Sequence, residues 1–483
     1  MSITPIFIPN STSFINNPCY LENLFATYQT KFKSHDQSVI ISLSYVINAV
    51  DTLSVLNFLT NKNKSPSSSD TIYFYWENKV NNEEMLGYGA TQYFCIDSSD
   101  RFFRSKNFIK DCLIKIIRIK EKKEIKSPPR IFSSFTFFEK IDDPHYPFPP
   151  ALAFLPYVQL IKFKNSSILT FNILIEKKTD IKQTVFNILA TKKSILSLKA
   201  YQNKKRKSKD IDRLDTNLAK IQKFKNSVNL ILKSIKNNEF KKLVLADFLD
   251  LKNSVNFSIP NCLDNLRFHY PDCYVFAINN GKNHCFIGAS PERLLSIKNQ
   301  KLITDALAGS SSRDKDKYKD YYLSQKLLKS YKERYEHQVV IKYIVKSLLN
   351  IGLSPKVLPL KILKLSNIQH LWTPIYSKLE LNIHPIDIVA TLHPTPAVSG
   401  FPTAITCRKI EHYEQFVRGL YAAPLGWIDS NKNSEFIVGI RSALISHNNA
   451  RVYAGAGIVK GSQSEQELAE IQLKFEGLLK ALS

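Results

Sequence analysis

Apolar and β-branched residues fall into short runs through the first two hundred positions, among them TIYFYW at 71–76 and SILTFNILI at 167–175. Runs of that kind between turn-rich segments predict strands. The turn-rich segments are NKNKSPSSSD (61–70), EKKEIKSPPR (121–130), DDPHYPFPP (142–150) and YQNKKRKSKD (201–210). From 213 the period changes: Leu214, Leu218, Ile221, Val228, Ile231 and Ile235 recur at helical spacing and predict a helix over 213–236. LVLA (243–246), FAI (276–278) and CFIGA (285–289) then predict strands, 317–350 a long helix, and the chain from 463 a last one. No repeat of 20–50 residues is present. Strands and helices mixed in this way, many at hairpin spacing, predict an α+β fold with extensive antiparallel sheet.

Length and composition narrow the class. The 483 residues, 44% hydrophobic and 23% charged, suit one large unit or two to three small domains. The apolar stretch Leu152–Leu160 contains a proline and is much shorter than the ~20 residues of a membrane helix. MSITPIFIPNSTSF has neither a basic start nor a long apolar stretch, so no signal peptide is expected. Seven cysteines without a CxxC pair argue against a disulfide framework or a zinc site, and a reducing cytoplasm is the expected location. Lys and Arg number 67 against 42 Asp and Glu, a net charge of +25. That invites a nucleic-acid reading, yet 401–483 holds nine basic against eight acidic residues, while lysine crowds 187–252. With no recognition-helix, RNP or zinc-finger pattern, the excess is read as a solvated lysine surface with a basic loop near 201–210. Neither nucleic acid nor membrane is an expected partner, and without a coiled coil a monomer is slightly favoured.

The chemistry begins with two ExxE units, Glu333/Glu336 in YKERYEHQVV and Glu467/Glu470 in QELAEIQLK. Residues three apart share a helix face, so each unit presents two carboxylates together. Alone, such a face is ordinarily solvated; two that converge would form an oxygen-only site for a hard cation such as Mg2+. DALAGSSSR (305–313) and YAGAGIV (453–459) place Gly309, Gly455 and Gly457 where backbone N–H groups are open to an anion. Neither is a nucleotide-binding glycine motif. Lys242 enters the apolar LVLA strand, where desolvation would lower its pKa and suit it to act as a base; alone, it is an ordinary strand-end lysine.

Order and spacing together decide more. KLVLAD (242–247), GASPERLL (288–295), DALAGSSSR, KERYEHQVV (332–340), LHPTPAVSGFP (392–402), RGLYAAPLGWID (418–429), VGIRSAL (438–444) and AGAGIVKGSQSEQELAEIQLK (454–474) resemble the chorismate-utilising enzymes, and among them the isochorismate synthase branch. The strong likeness covers about 235–483; IYFYWE (72–77) and PALAFLPYVQL (150–160) are weaker echoes of the family's N-terminal half. The resemblance implies one large domain, two antiparallel sheets around a core with helices outside, with 1–210 as the weakly matched half and 211–483 as the chorismate-binding region.

It also implies roles. Lys242 would activate a water for attack on C2 of chorismate, and Glu292 of SPERLL would protonate the departing C4 hydroxyl. Burial pushes a lysine down and a glutamate up, the directions this division of labour needs. Glu336 and Glu470 match Mg2+ ligands, with Glu333 and Glu467 as water-mediated partners. Tyr421, Arg441 and Lys474 match substrate contacts, the last two facing a carboxylate. Backbone at Gly309 and Gly455 matches carboxylate-cradling positions, and His393 stands where relatives place a histidine near the ring. Ala308 lacks the nucleophile of the lysine-dependent relatives, and Ala397 favours isochorismate as the end product. Salicylate synthase and anthranilate synthase-type chemistry are the alternatives, and a basic nucleic-acid-binding protein the remote one. Asp247, Asp305 and Leu468 depart from the family's usual arginine, glutamate and tryptophan.

Overall fold

The computed structural model describes residues 14–482 apart from 33–37, 63–70, 97–99, 123–124, 126, 203–211, 214–217 and 366–367. The expected basic loop from 203 on, and Leu214, therefore lie outside the described residues.

Ala151–Lys162 is the strand from which the architecture branches. One side pairs along its length with Glu83–Ile96. The other pairs with Arg130–Phe135 near its start and with Ser166–Ile175 near its end. Two long antiparallel arms follow. The first runs from Glu83–Ile96 through Tyr73–Asn78, Tyr274–Asn279, His284–Ser290, Ser442–Ser446 and Asn449–Val459 to Lys242–Lys252. The second runs from Arg130–Phe135 through Pro424–Asp429, Ser434–Val438, Arg293–Lys298 and Lys301–Ser312 to Ile368–Lys378. Strands from before residue 210 thus begin both arms and strands from after it complete them. Ser290 Oγ donates to the Val438 carbonyl at 2.6 Å and ties one arm to the other. Several strands are buried along their whole length, Tyr73–Asn78 and Arg130–Phe135 among them, as expected where both faces are covered.

The helices lie outside the sheet. Tyr331–Asn350 packs on the Lys301–Ser312 strand and Ser464–Leu482 on Asn449–Val459. The single helix expected over 317–350 is two, Lys317–Lys329 and Tyr331–Asn350, because Ser330 takes an extended conformation and accepts the Glu333 N–H as an N-cap. The helix expected over 213–236 is described over Leu218–Lys236 and buries Phe224, Val228, Ile231 and Ile235. Leu218, counted on its apolar face, is 82% exposed. No described helix is long and apolar enough to cross a membrane.

Candidate active site

A cavity of about 120 Å3 lies where the two arms face each other. From the first arm come Val244, Tyr453, Gly455 and Gly457; from the second, Leu307, Ala308, Gly309 and Ser310; from the outer helices, Glu336, Glu470 and Lys474. Glu292, Ala397, Tyr421 and Arg441 complete the wall among the expected residues, and His370 joins them. The antiparallel register that sets Gly457 opposite Val244 and Gly455 opposite Ala246 brings the glycine-rich segment onto the lysine strand.

Lys242 is 1% exposed and stands just behind this wall. Its ammonium lies 2.7 Å from Glu336 Oε1. The contact is an ion pair without hydrogen-bond alignment, since Nζ is buried with no hydrogen-bond acceptor among the described residues. A Cβ at position 457 would meet Glu336 Oε1 at 2.9 Å and Lys242 Cε at 3.3 Å, so glycine there leaves the pair its room. Gly400 (φ 137°) backs the same strand: a Cβ would sit 2.3 Å from the Lys242 carbonyl oxygen. Gly400→Ala should therefore cost about 1–3 kcal/mol, read as a lowered midpoint in denaturant melts, with turnover falling beside it as Lys242 shifts.

Glu292 is buried, and burial raises its carboxyl to about 8, with Asp305 adding to the rise and Lys242 opposing it. At neutral pH it is a protonated acid facing the cavity, the state a proton donor needs. Glu333 is raised to about 7 by burial and by the neighbouring charges of Glu336 and Glu470; its Oε2 accepts the Ser310 N–H at 3.0 Å. Burial would raise Glu470 too, but Lys474, 2.8 Å away, holds it below the usual carboxylate range. Glu467 pairs with Lys332 at 3.3 Å, and burial raises its carboxyl. Glu333 and Glu467 stand outside the cavity wall, behind Glu336 and Glu470.

Arg441 takes a left-handed backbone conformation (φ 49°), uncommon for a side chain of its size. Its guanidinium donates to His370 Nε2 at 3.2 Å. Burial, Arg441 and Lys474 push His370 down to about 3, so it stays neutral and accepts. Lys474 also donates to the Gly455 carbonyl at 2.6 Å. Tyr421 stacks on Tyr453 with ring centroids 5.2 Å apart. His393 is placed differently from expectation: its Nε2 meets the Phe137 carbonyl at 3.0 Å, its ring packs edge-on to Phe137, and it does not line the cavity. His370 takes the cavity position instead; a lone histidine inside the Ile368–Lys378 strand carries no spacing signal. Arg441 and Lys474 give the cavity wall two cations, suited to a small carboxylate-bearing ligand.

The chain matches the family model of the chorismate binding enzymes over residues 26–483. It belongs to that family. Among curated relatives of this chorismate binding enzyme, the salicylate biosynthesis isochorismate synthase of Pseudomonas aeruginosa is 37% identical over 52% of this chain, which spans about half of that relative. Isochorismate synthase MenF of Bacillus subtilis is 28% identical over 95% of this chain and 97% of that one. The menaquinone-specific isochorismate synthase MenF of Escherichia coli superposes with a TM-score of 0.74 at 25% identity, covering 96% of this chain and 100% of that structure. Anthranilate synthase component I from Streptococcus pneumoniae shares the fold, with a TM-score of 0.66 at 19% identity over 82% of this chain and 92% of that one. The α+β architecture expected from the sequence is the architecture found.

Proposed function

We propose that this enzyme is an isochorismate synthase: water adds at C2 of chorismate, the ring double bonds shift, and the C4 hydroxyl departs as water. Lys242, in the amine form left when its proton passes to Glu336 Oε1 2.7 Å away, takes the proton from the attacking water, and the protonated Glu292 gives one to the leaving hydroxyl. One water enters and one leaves, and a return of the proton from lysine to glutamate resets the pair. The observation that carries this reading is the buried Glu292 on the wall of the cavity that Val244 of the lysine strand also lines, where burial favours its acid form. Support also comes from the relatives named for this activity, over 95% of the chain in one case. Arg441 and Lys474 would hold the enolpyruvyl carboxylate, with backbone at Gly309 and Gly455 around the ring carboxylate.

A divalent cation fits the donor set. Among the described residues no group of three or more His, Cys, Asp or Glu side chains is placed to hold a metal by itself. Mg2+ asks for less, one or two carboxylates completed by water and substrate oxygens. Glu336 and Glu470 are the two on the wall, with Glu333 and Glu467 outside it, and burial first and then the charges of Glu336 and Glu470 raise the Glu333 carboxyl. When bound, the cation would offset the charge of the ring carboxylate.

The test is chromatography of products after incubation with chorismate and Mg2+. Isochorismate is expected, EDTA should abolish its formation, and Mg2+ should raise the melting temperature of the wild type but not of Glu336→Gln/Glu470→Gln. Salicylate with pyruvate would move the assignment to the lyase chemistry. Unchanged chorismate would end the enzymatic reading.

A further inference from the structure

We propose that Cys273 is a positioning residue for substrate binding: its thiol sulfur and the His370 ring hold the Arg441 guanidinium between two neutral acceptors and leave its charge free for a carboxylate of the substrate. The proposal rests on the role given to Arg441 above.

Arg441 stands between the Ser434–Val438 and Ser442–Ser446 strands, at a crossing from one arm to the other. Its backbone is fixed. The left-handed φ of 49° turns the chain, and the Arg441 carbonyl accepts the Ala289 N–H at 3.0 Å. A Cβ at Gly288 would sit 2.7 Å from that carbonyl oxygen, so glycine lets the two segments approach. The long side chain beyond has many rotamers, and ordering it on binding would cost affinity.

The end of that side chain is held from two sides. Nη2 donates to His370 Nε2 at 3.2 Å, and Nη1 donates to Cys273 Sγ at 3.8 Å, within reach of the larger sulfur atom. Local chain chemistry delivers the thiol. Helix Ile259–His269 ends before Pro271, which occupies the second place of a turn closed by the Cys273 N–H on the Tyr270 carbonyl at 3.2 Å. Cys273 thereby stands at the head of the Tyr274–Asn279 strand. That strand pairs with one side of His284–Ser290, and Ser442–Ser446 pairs with the other. Cys273 and Arg441, each one residue ahead of a flanking strand, meet over the strand between them.

Both acceptors are neutral. Burial pushes the Cys273 thiol up to about 11 against the pull of Arg441, and His370 carries no charge, as described above. Among the described residues the Arg441 guanidinium has no carboxylate as a hydrogen-bond partner. Lys474, the other cation on the wall, is paired with Glu470 at 2.8 Å. Arg441 is therefore fixed without being compensated, and a carboxylate entering the cavity meets an aligned, uncommitted fork of donors.

Steady-state kinetics with chorismate and Mg2+ on Cys273→Ser and Cys273→Val test the role. Serine keeps an acceptor and loses volume; valine fills the space and offers no acceptor. Cys273→Val should raise KM about 3–10-fold with kcat within about twofold of wild type, the range for one lost hydrogen bond. Cys273→Ser should keep its KM within about threefold of wild type. Cys273→Asp, which sets an anion on the guanidinium, should raise KM beyond the valine variant. A packing role predicts the reverse order, with valine tolerated and serine impaired. That order, or a fall in kcat at unchanged KM, overturns the proposal; should the valine or aspartate variant not fold, Cys273→Ala against Cys273→Ser decides. Arginine labelled with 15N, with the Arg441 signals assigned by their loss in Arg441→Lys, reads the same contact without substrate. Its two Nη signals, separate while each has its own acceptor, should merge in Cys273→Val or Cys273→Ala and stay resolved in Cys273→Ser. Signals alike in all of these variants overturn the proposal. A wild type that converts no chorismate ends the functional reading instead, while the arginine signals still judge the cradle.

Discussion

Lys242→Met and Glu292→Gln are each expected to lower kcat by about 10^2–10^4-fold, the range for loss of a positioned general base or acid. The two should differ in every other respect. Lys242→Met strips Glu336 of the ammonium 2.7 Å away, leaving a mostly buried carboxylate beside Glu333 and Glu470. It should melt earlier than the wild type, since an abandoned partner of a buried pair is costly. Glu292→Gln keeps shape and hydrogen-bonding capacity and loses only the ability to ionise. The folded-state value of Glu292, about 8, is above the ordinary 4.5, so the folded protein holds a proton that the unfolded chain releases. Its contribution to stability is complete below about pH 4.5 and is lost as pH rises towards 8. Relative to wild type, Glu292→Gln should therefore gain melting temperature steadily between pH 5 and pH 8 while remaining inactive throughout. Activity retained in either variant would remove that residue from the proton-transfer role; a flat melting difference across the window would show that Glu292 is not held protonated.

What the sequence made legible was local. Apolar runs announced the strands at 73–78, 166–175, 274–279 and 284–290 to within a residue or two. Ordered motifs announced nine of the thirteen expected site residues that meet on one cavity. The pairing of Arg130–Phe135 with Pro424–Asp429 spans nearly three hundred residues and leaves no local trace. The break at Ser330 was hidden because serine is tolerated within a helix pattern, and only the extended conformation reveals it as a cap. The exchange between His393 and His370 has a similar cause. A histidine beside two prolines in a loop draws attention, yet burial and Arg101 push His393 down to about 3 and its ring is spent on a backbone carbonyl. His370 is neutral for the same physical reason, but there the accepted bond comes from Arg441, on the cavity wall.

The largest expected effect on stability lies at Arg418. Its side chain is 0% exposed and that of Glu414, four residues before it at the end of helix Thr403–Glu414, 1%. Arg418 Nε donates to Glu414 Oε2 at 2.8 Å, Nη1 to the Val398 carbonyl at 2.7 Å and Nη2 to the Val244 carbonyl at 2.9 Å. Glu414 in turn accepts the Ala246 N–H at 2.7 Å, and the guanidinium lies 4.4 Å from the Phe137 ring centroid. One buried pair thus clamps the lysine strand to the 393–402 loop, and both anchored residues, Val244 and Val398, line the cavity. Arg418→Met removes the cation and leaves the carboxylate with only a backbone donor, for a cost of about 3–5 kcal/mol. Lysine is no substitute, because a single ammonium does not reproduce the fork that reaches two carbonyls and a carboxylate. Arg418→Met/Glu414→Leu should recover much of the lost stability, since it abolishes the unpaired charge, but it leaves the two valine carbonyls without their donor. Its KM for chorismate should stay raised after its melting midpoint has returned towards wild type. Denaturant melts and steady-state kinetics on the single and double variants separate the terms: recovery of both together would make Arg418 a matter of charge alone, and recovery of neither would place its weight in the carbonyl clamp.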